Sequence, residues 1–591
     1  MPRAPRRRRK LPAQHKGPGP DVDGVLFRAK VRLTAVGYGA REQAWRLSRG
    51  FEYRVEKPLH GFWLGLRRRT RRIIVVGTAL VLALAFLFYT PAPGVPCQVS
   101  AVKECAPTDD VLSMVPADAL LYSHLTLDRG SAQFKAVDSL LGRFSPHRVD
   151  QIGSALLPAP SGVGISFVKD VRPWAGDDAG LVVVPGPGPA TSSAFVIAVK
   201  DQKGAEAFLE KVAPGPGAGI SSAFDRGFLV VGGGPAVRAV AATGAAGAKT
   251  LGEAPSAEQV RGELPANRFA DLYFSAAGIR RLLAGSTTTL ATQLETFVDY
   301  GASTGFAVAA LAKDDGIELE VYSALDPARQ KASPNLFTTL PHFKPALTGD
   351  VGARALGYVG LGEAGESLGL LLERAGGAAP GLASALKSLT DRISAKGKVD
   401  PARDLLPALG GQAALVAQPT DGVPFASLIV DDVDEAKAKE VLAQLQGPLA
   451  RSVGSPPGQP AASFRPITLH GGVEGSELQV SPTVDLTYAV FDGKLVISTQ
   501  PAGVEQVAAG SGETLDHAAA FDDATAGLPD RVSALLYLNL DELLDLAEKL
   551  GQVEDPLYVA FRDDIRKLHA VAVGVDAGAH DLRSRLLITI S

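Results

Sequence analysis

Cysteine is almost absent. The 591 residues carry two, Cys97 and Cys105, and their C-x7-C separation is not the C-x-x-C spacing of a redox pair. No histidine follows them before His124, which argues against a zinc ligand set. The nine histidines are scattered singly, and H-E-x-x-H does not occur. Without a clustered base, hydrolytic chemistry has nothing to start from, and no catalytic residue, cofactor or metal is expected. Charge is missing altogether from residues 73 to 90, and that gap organises the rest of the chain.

The gap reads IIVVGTALVLALAFLFYT and follows Arg67, Arg68, Arg69, Arg71 and Arg72. As a helix it would span roughly 27 Å, close to the ~30 Å hydrocarbon thickness of a bilayer. The net charge of -3 hides a division on either side of it. Residues 1–72 hold 20 Lys/Arg against 5 Asp/Glu, and residues 91–591 hold 40 against 58. Basic residues collect on the cytoplasmic flank of a span, so a plasma-membrane protein is expected, crossing once at 73–90 with a cytoplasmic N-terminus and an extracytoplasmic C-terminal region. A buried core helix does not explain five arginines at its start. A cleaved signal would need a basic region more than 70 residues long, and Pro96 stands where lipidation at Cys97 wants a small residue. Residues 91–107 form a juxtamembrane linker in which Cys97 and Cys105 could close a short disulfide loop in an oxidising compartment, or remain idle thiols.

Within the basic cytoplasmic segment 1–72, the Arg- and Pro-rich residues 1–23 read as disordered. Residues 24–66 interleave Arg and Lys with Phe27, Trp45, Phe51, Phe62 and Trp63, as suits a segment lying on the anionic inner leaflet. A nucleic-acid tail is the rival reading, but no nucleic-acid-binding signature accompanies it, and no nucleic acid partner is expected.

Beyond the linker the chain repeats itself. DVRPWAGDDAGLVVVP (170–185) returns as DLLPALGGQAALVAQP (404–419). FVIAVKDQKGAEAFLEKV (195–212) is answered by FASLIVDDVDEAKAKEVLAQL (425–445), and AFDRGFLVVGGGPAVRAVAA (223–242) by AVFDGKLVISTQPAGVEQVAA (489–509). LPANRFADLY (264–273) pairs with LPDRVSALLY (528–537), and each half closes with a hairpin, turning at Asp315-Gly316 and around Ala577-Gly578. The order of elements is kept, which predicts a tandem duplication with halves at 108–330 and 336–591 joined by PARQKASPN. Hairpins with short links predict an α+β fold, mostly antiparallel sheet with helices laid on one face.

Several short patterns resemble chemical motifs. Gly232-Gly233-Gly234 lies where a phosphate loop would, but the other copy has Ser498-Thr499-Gln500 there, so a helix-start turn is expected. Ser166-Phe167-Val168-Lys169 matches S-x-x-K without the K-T-G or S-D-N that accompany it in acyl-enzymes. Asp431, Asp432, Asp434 and Glu435 fail as a calcium loop, because Lys437 and Ala443 occupy the positions of the obligatory glycine and glutamate; Asp432 with Glu435 reads as a helix cap. Trp174, beside Arg172, is the one tryptophan after residue 90 and a candidate interface anchor, with half-burial over the sheet as the alternative.

VPADALLY (115–122), the D-x-x-P-W-x-G framework at Asp170 to Gly176, and the FVIAVKDQKGAEAFLEKV and FLVV-to-helix units resemble a family of anchored bacterial proteins, the domain of unknown function 3352 family. The likeness covers residues 111–590. It implies a surface-exposed bacterial module and brings no catalytic residue to transfer. The second half departs from it, with Leu406 and Ala408 in place of Arg172 and Trp174.

These features together predict a membrane protein with a non-catalytic binding or scaffolding ectodomain, its partner an envelope protein, lipid or polymer. Two alternatives stand beside it: an envelope hydrolase with its site between the halves, and a sensor signalling through the basic cytoplasmic segment.

Overall fold

The structure, a computed structural model, describes residues 108–144, 166–188, 190–212, 220–243, 248–284, 302–332, 334–378, 400–420, 422–453, 462–481, 483–510, 512–551 and 556–591. The basic segment, the apolar run at 73–90 and the linker with Cys97 and Cys105 lie outside them. The chain divides into two units, Met1–Leu66 and Arg67–Ser591, and every described residue belongs to the second. No helix among the described residues is long and apolar enough to cross a membrane.

Among the described residues eighteen strands form one antiparallel sheet. In the first half these are β1 (Leu121–Thr126), β2 (Ala175–Pro185), β3 (Thr191–Val199), β4 (Ser221–Asp225), β5 (Phe228–Gly232), β6 (Ala270–Ser275), β7 (Ser303–Lys313) and β8 (Gly316–Leu325). The second half holds β9 (Gly357–Leu361), β10 (Ala413–Gln418), β11 (Phe425–Val430), β12 (Arg465–Thr468), β13 (Glu474–Ser481), β14 (Val484–Phe491), β15 (Lys494–Ser498), β16 (Ala534–Asn539), β17 (Leu568–Ala577) and β18 (Asp581–Ile590). Following the ladders, the first half runs β4-β5-β3-β2-β1-β6-β7-β8. The second runs β14-β15-β11-β10-β9-β16-β17-β18 in the same order, with β13 and β12 added beyond β14. β8 pairs with β18, Glu320 opposite Arg585, so equivalent edges meet antiparallel. Such a pairing relates the halves by an approximate twofold axis normal to the sheet and keeps matching faces on the same side.

The hairpins have local causes. Arg226 and Gly227 between β4 and β5, and Asp492 and Gly493 between β14 and β15, all have positive φ, at 47°, 83°, 49° and 71°. Two successive left-handed residues make the turn whose twist matches the flanking strands. Gly232 answers a different need, since a Cβ there would lie 2.3 Å from the Ser193 carbonyl oxygen.

Helices cover both faces of the sheet, not one. In the first half α1 (Ala132–Leu141) and α2 (Gln202–Val212) pack with Leu121, Leu181, Val183, Leu229 and Val231 on one side. On the other, α3 (Gly234–Thr243) and α4 (Pro255–Gly262) pack with Tyr122, Val182, Val184, Val230 and Tyr273. Strict alternation along each strand sends neighbours to opposite cores. The unbroken apolar runs LVVV and FLVV follow from this, because a strand buried on both faces has no polar side to display. At the joint, α6 (Pro327–Ala332) and α7 (Leu336–Thr339) follow α5 (Ala276–Ala284) in chain order, and Gln330 accepts from Asn335 N and Thr338 Oγ1, both at 3.0 Å. The second half is covered by α8 (Ala364–Ala378) and α9 (Glu435–Val453) on one face and α10 (Pro501–Ala509) and α11 (Ala519–Thr525) on the other.

Asp201 caps α2, its Oδ1 accepting from Lys203 N at 3.1 Å. The matching helix α9 is capped by Asp434, not Asp432: Lys437 N donates to Asp434 Oδ1 at 3.1 Å. Asp432 instead takes a left-handed φ of 50°, and Glu435 accepts from Gly493 N at 2.7 Å. Asp434→Ala should therefore cost about 1 kcal/mol, and Asp432→Gly, which relieves the left-handed backbone, should cost nothing. Urea midpoints decide; no loss in Asp434→Ala would move the cap elsewhere.

Candidate functional site

A cleft of about 270 Å³ opens where the halves meet. Its charged and aromatic groups come from β8 (Glu320, Tyr322), β17 (Asp576), β18 (Arg583, Arg585) and Glu263 after α4. Glu318, Glu320 and Tyr322 alternate onto one face of β8, and Arg583 and Arg585 do the same on β18. Arg585 Nη2 lies 3.2 Å from Glu320 Oε1, and its Nη1 donates to the Gly527 carbonyl at 2.8 Å. Arg583 Nη2 lies 2.7 Å from Glu263 Oε2, with its guanidinium 4.8 Å from the centre of the Tyr322 ring. Glu318 is buried and paired with Lys313 at 3.0 Å. Burial first, then the hydrogen bond with Glu318, lifts the Glu320 carboxyl above its ordinary pKa, while Arg585 works against them.

A second cluster lies inside the first half. His124 on β1 stands opposite Asp271 on β6 and opposite Gly180 on β2. At Gly180 an added Cβ would come within 2.9 Å of the Ser123 carbonyl oxygen. His124 Nε2 is 2.6 Å from Asp178 Oδ1, and Nδ1 is 3.6 Å from Asp271 Oδ1. Arg261 on α4 bridges Asp271 at 2.9 Å and Asp109 at 2.5 Å, and Arg268 adds a contact to Asp271 at 3.0 Å. Tyr122 Oη donates to Asp109 Oδ1 at 2.5 Å. Asp178 Oδ2 accepts from Asp110 N and Val111 N at 2.6 and 3.1 Å, so the network pins the short 3₁₀ turn Val111–Met114 to the sheet. Burial alone would push the imidazole down, but the charge of Asp109 and the contacts with Asp178 and Asp271 raise its pKa to about 10. Burial also acts to raise Asp271, and Arg261, His124 and Arg268 overcome it and hold the carboxyl far below its ordinary range.

Ligand atoms of Asp109, His124 and Asp178 lie within 4.8 Å of one another, close enough for a metal. A divalent ion would have to displace the imidazolium proton and compete with Arg261 for Asp109, so the donors fit a closed ion-pair network better. The second half has none of it. The places of His124, Asp178, Arg261, Arg268 and Asp271 are taken by Gly360, Gln412, Thr525, Val532 and Leu535. Tyr358 and Tyr537 keep the positions of Tyr122 and Tyr273, but their hydroxyls have no hydrogen-bond partner among the described residues.

Trp174 does not anchor an interface. It is 1 % exposed, its Nε1 donates to the Asp170 carbonyl at 2.6 Å, and its ring lies 5.3 Å from that of Phe208. Arg172 borders a small cavity with Arg129 and Lys200. Ser166 caps a π-helical turn by accepting from Lys169 N, while Lys169 is exposed, so S-x-x-K makes no catalytic pair. Gly232 ends β5, Gly233 links it to the helix and Gly234 opens α3. Cys97 and Cys105 lie outside the described residues.

Among the described residues stand two serine–histidine–aspartate groups that the sequence pattern did not single out. Ser533 and Asp576 both approach Nε2 of His342, at 3.3 and 2.8 Å, so no relay runs through the ring. His569 has relay order, with Asp541 on Nδ1 at 2.7 Å and Ser591 on Nε2. The Ser591 N–H, however, donates to the Lys567 carbonyl, which removes a near donor for an oxyanion. Pairing across 342/533/576 could be found only from strand register. A wider groove, about 920 Å³, runs between α9 and the β12–β14 strands. Its polar groups bind one another: Gln446 Nε2 donates to Tyr488 Oη and Ser476 Oγ, and Lys439 pairs with Glu435.

No family model matches the chain, and no curated protein matches it. Two solved structures, crystal forms III and I of TP0453, are similar to 41% and 42% of this chain and 92% of that protein. Identities are 12% and 10% and TM-scores 0.21 and 0.20, too slight a likeness to carry fold or function.

Proposed function

We propose that the chain is a single-pass membrane protein of the bacterial envelope whose duplicated extracytoplasmic body binds or scaffolds an envelope component without catalysing a reaction. The cleft at the β8–β18 seam carries this reading: both halves send charged side chains into one concavity, which suits recognition of a polar ligand. The matching ladder order of the halves supports duplication, and the arginine-flanked apolar run supports the anchor.

Protease added to intact cells should remove the body and spare the basic N-terminal segment. Native mass spectrometry of the detergent-solubilised full chain should find a retained envelope component that Arg583→Glu sheds. A digested tail with a protected body would end the topology; retention unchanged by the charge reversal would end the cleft's role. The hydrolase reading draws on one observation, Glu320 in the cleft, disposed to hold a proton by burial and by the neighbouring Glu318. Glu320→Gln abolishing turnover while retention persists would favour it.

A further inference from the structure

Three cations from separate segments converge at one end of the first half. Arg129 lies in the turn between β1 and α1, Arg172 just after the π-helical turn Phe167–Val171, and Lys200 at the end of β3. Together with Leu127, Phe134, Phe167 and one carboxylate, Asp177, they line a cavity of about 20 Å³. Their positions are fixed by the backbone around Trp174: Lys200 N donates to the Trp174 carbonyl at 2.9 Å, and Lys200 Nζ to the Arg172 carbonyl at 3.4 Å. Beside the cavity the register of β2 against β3 breaks between Ala175 and Ala179, the kind of bulge that re-aims side chains next to a site.

Neither Arg129 nor Lys200 makes an ion pair among the described residues. Asp138 attracts Arg172 and Asp177 attracts Lys200, but these do not offset the crowding. Burial first, then the charge of Arg129, lowers the pKa of both Arg172 and Lys200, as expected of like charges held together. The framework does not require them. At the equivalent places the second half has Leu406 for Arg172 and Val433 for Lys200, and it enters α8 where the first half has the turn that carries Arg129. A cationic trio written into one copy alone, around a cavity, calls for an anion.

We propose that Arg129, Arg172 and Lys200 form a binding site for a single phosphate group. The cavity, about 20 Å³, only slightly exceeds the roughly 10–15 Å³ that one water needs, so it takes one oxygen of the phosphate while the rest of the group stays at its mouth among the three cations. Two guanidinium forks and an ammonium supply charge-assisted donors around it. The site depends neither on the cleft between the halves nor on the membrane topology.

Calorimetric titration of the full chain in neutral detergent tests it, with inorganic phosphate in one arm and glycerophosphoglycerol, a lipid headgroup without its chains, in the other. At least one should bind, with affinity that falls as salt rises. Arg129→Gly and Arg172→Leu, the latter the second half's own residue, should each weaken binding at least about tenfold, the worth of one charge-assisted hydrogen bond. The exposed Lys200→Gln covers the case of a variant that fails to fold. Asp177→Asn should tighten binding by removing a competing carboxylate. Binding in the first arm alone identifies free phosphate, and in the second a phosphodiester headgroup. No binding in either arm at millimolar ligand, or binding indifferent to all the cation substitutions, overturns the site.

Discussion

Asp271→Ala should lower the unfolding free energy by about 3–5 kcal/mol, the usual cost of breaking a buried ion pair from one side. The carboxylate is fully buried and is the hub on which Arg261, Arg268 and His124 all lean. Its loss leaves cations desolvated with too little negative charge, and Arg261 keeps only Asp109. The second half supplies the control. Asp271→Leu together with Arg261→Thr and Arg268→Val installs the residues found there, Leu535, Thr525 and Val532. That triple variant should be more stable than Asp271→Leu alone, because the orphaned charges go with their partner. Urea unfolding of the full chain reads both. A cost below about 1 kcal/mol for Asp271→Ala would mean that water or neighbouring groups satisfy the arginines, and the network would not be the clamp described.

The comparison between copies also explains what the sequence could and could not reveal. The Asp492-Gly493 turn was legible because it needs left-handed backbone that only certain residues take readily, whereas the turn expected at Asp315-Gly316 falls one residue earlier, at Asp314-Asp315, with Gly316 paired to Lys313. The repeat was legible because Pro, Gly and Tyr recur at fixed spacings, and the sheet reproduces them at equivalent strand positions, Tyr122 opposite Tyr273 and Tyr358 opposite Tyr537. The second helical layer was missed although its signal was present, in strands that are apolar at every position. Trp174 attracted attention as a lone aromatic among charges, yet those charges lie along the chain and the ring turns inward. The buried network was the hardest to see. Asp109 and Asp271 are 162 residues apart, and nothing local links them. Only aligning the two copies, and asking why buried strands carry His124 and Asp271 where the other copy has Gly360 and Leu535, would have raised the question.

Raising the pH from about 6.5 towards 10 should progressively remove the stability that His124 contributes. Its pKa is higher in the folded protein than the ordinary 6.5, so the folded state binds the proton more tightly than the unfolded chain does. The contribution is complete below 6.5 and disappears as the pH passes the folded value, at up to about 1.4 kcal/mol per pH unit between the two. Asp178, Asp271 and Asp109 face the imidazole, and Arg261 and Tyr122 bind the carboxylates around it. Burial raises the Tyr122 hydroxyl well above its ordinary value, so it does not ionise within this interval. Asp271 is held low, and its contribution is lost only in acid, as the pH falls through its folded value. Asp178 is raised by burial, a smaller effect of opposite sign to that of Asp271, and it too belongs to the acid side. His124→Gln removes the titrating group while the other histidines and the lysines continue to titrate in both proteins. The stability difference between wild type and His124→Gln should therefore be several kcal/mol at pH 6 and shrink by pH 10. Because Asp178 holds the Asp110 and Val111 N–H groups as well as the imidazole, discharging His124 leaves that carboxylate to the backbone alone and loosens the turn at Val111–Met114. A difference that stays constant across the interval would show that His124 is neutral in the folded protein, with the two arginines serving Asp109 and Asp271 and only the backbone holding Asp178.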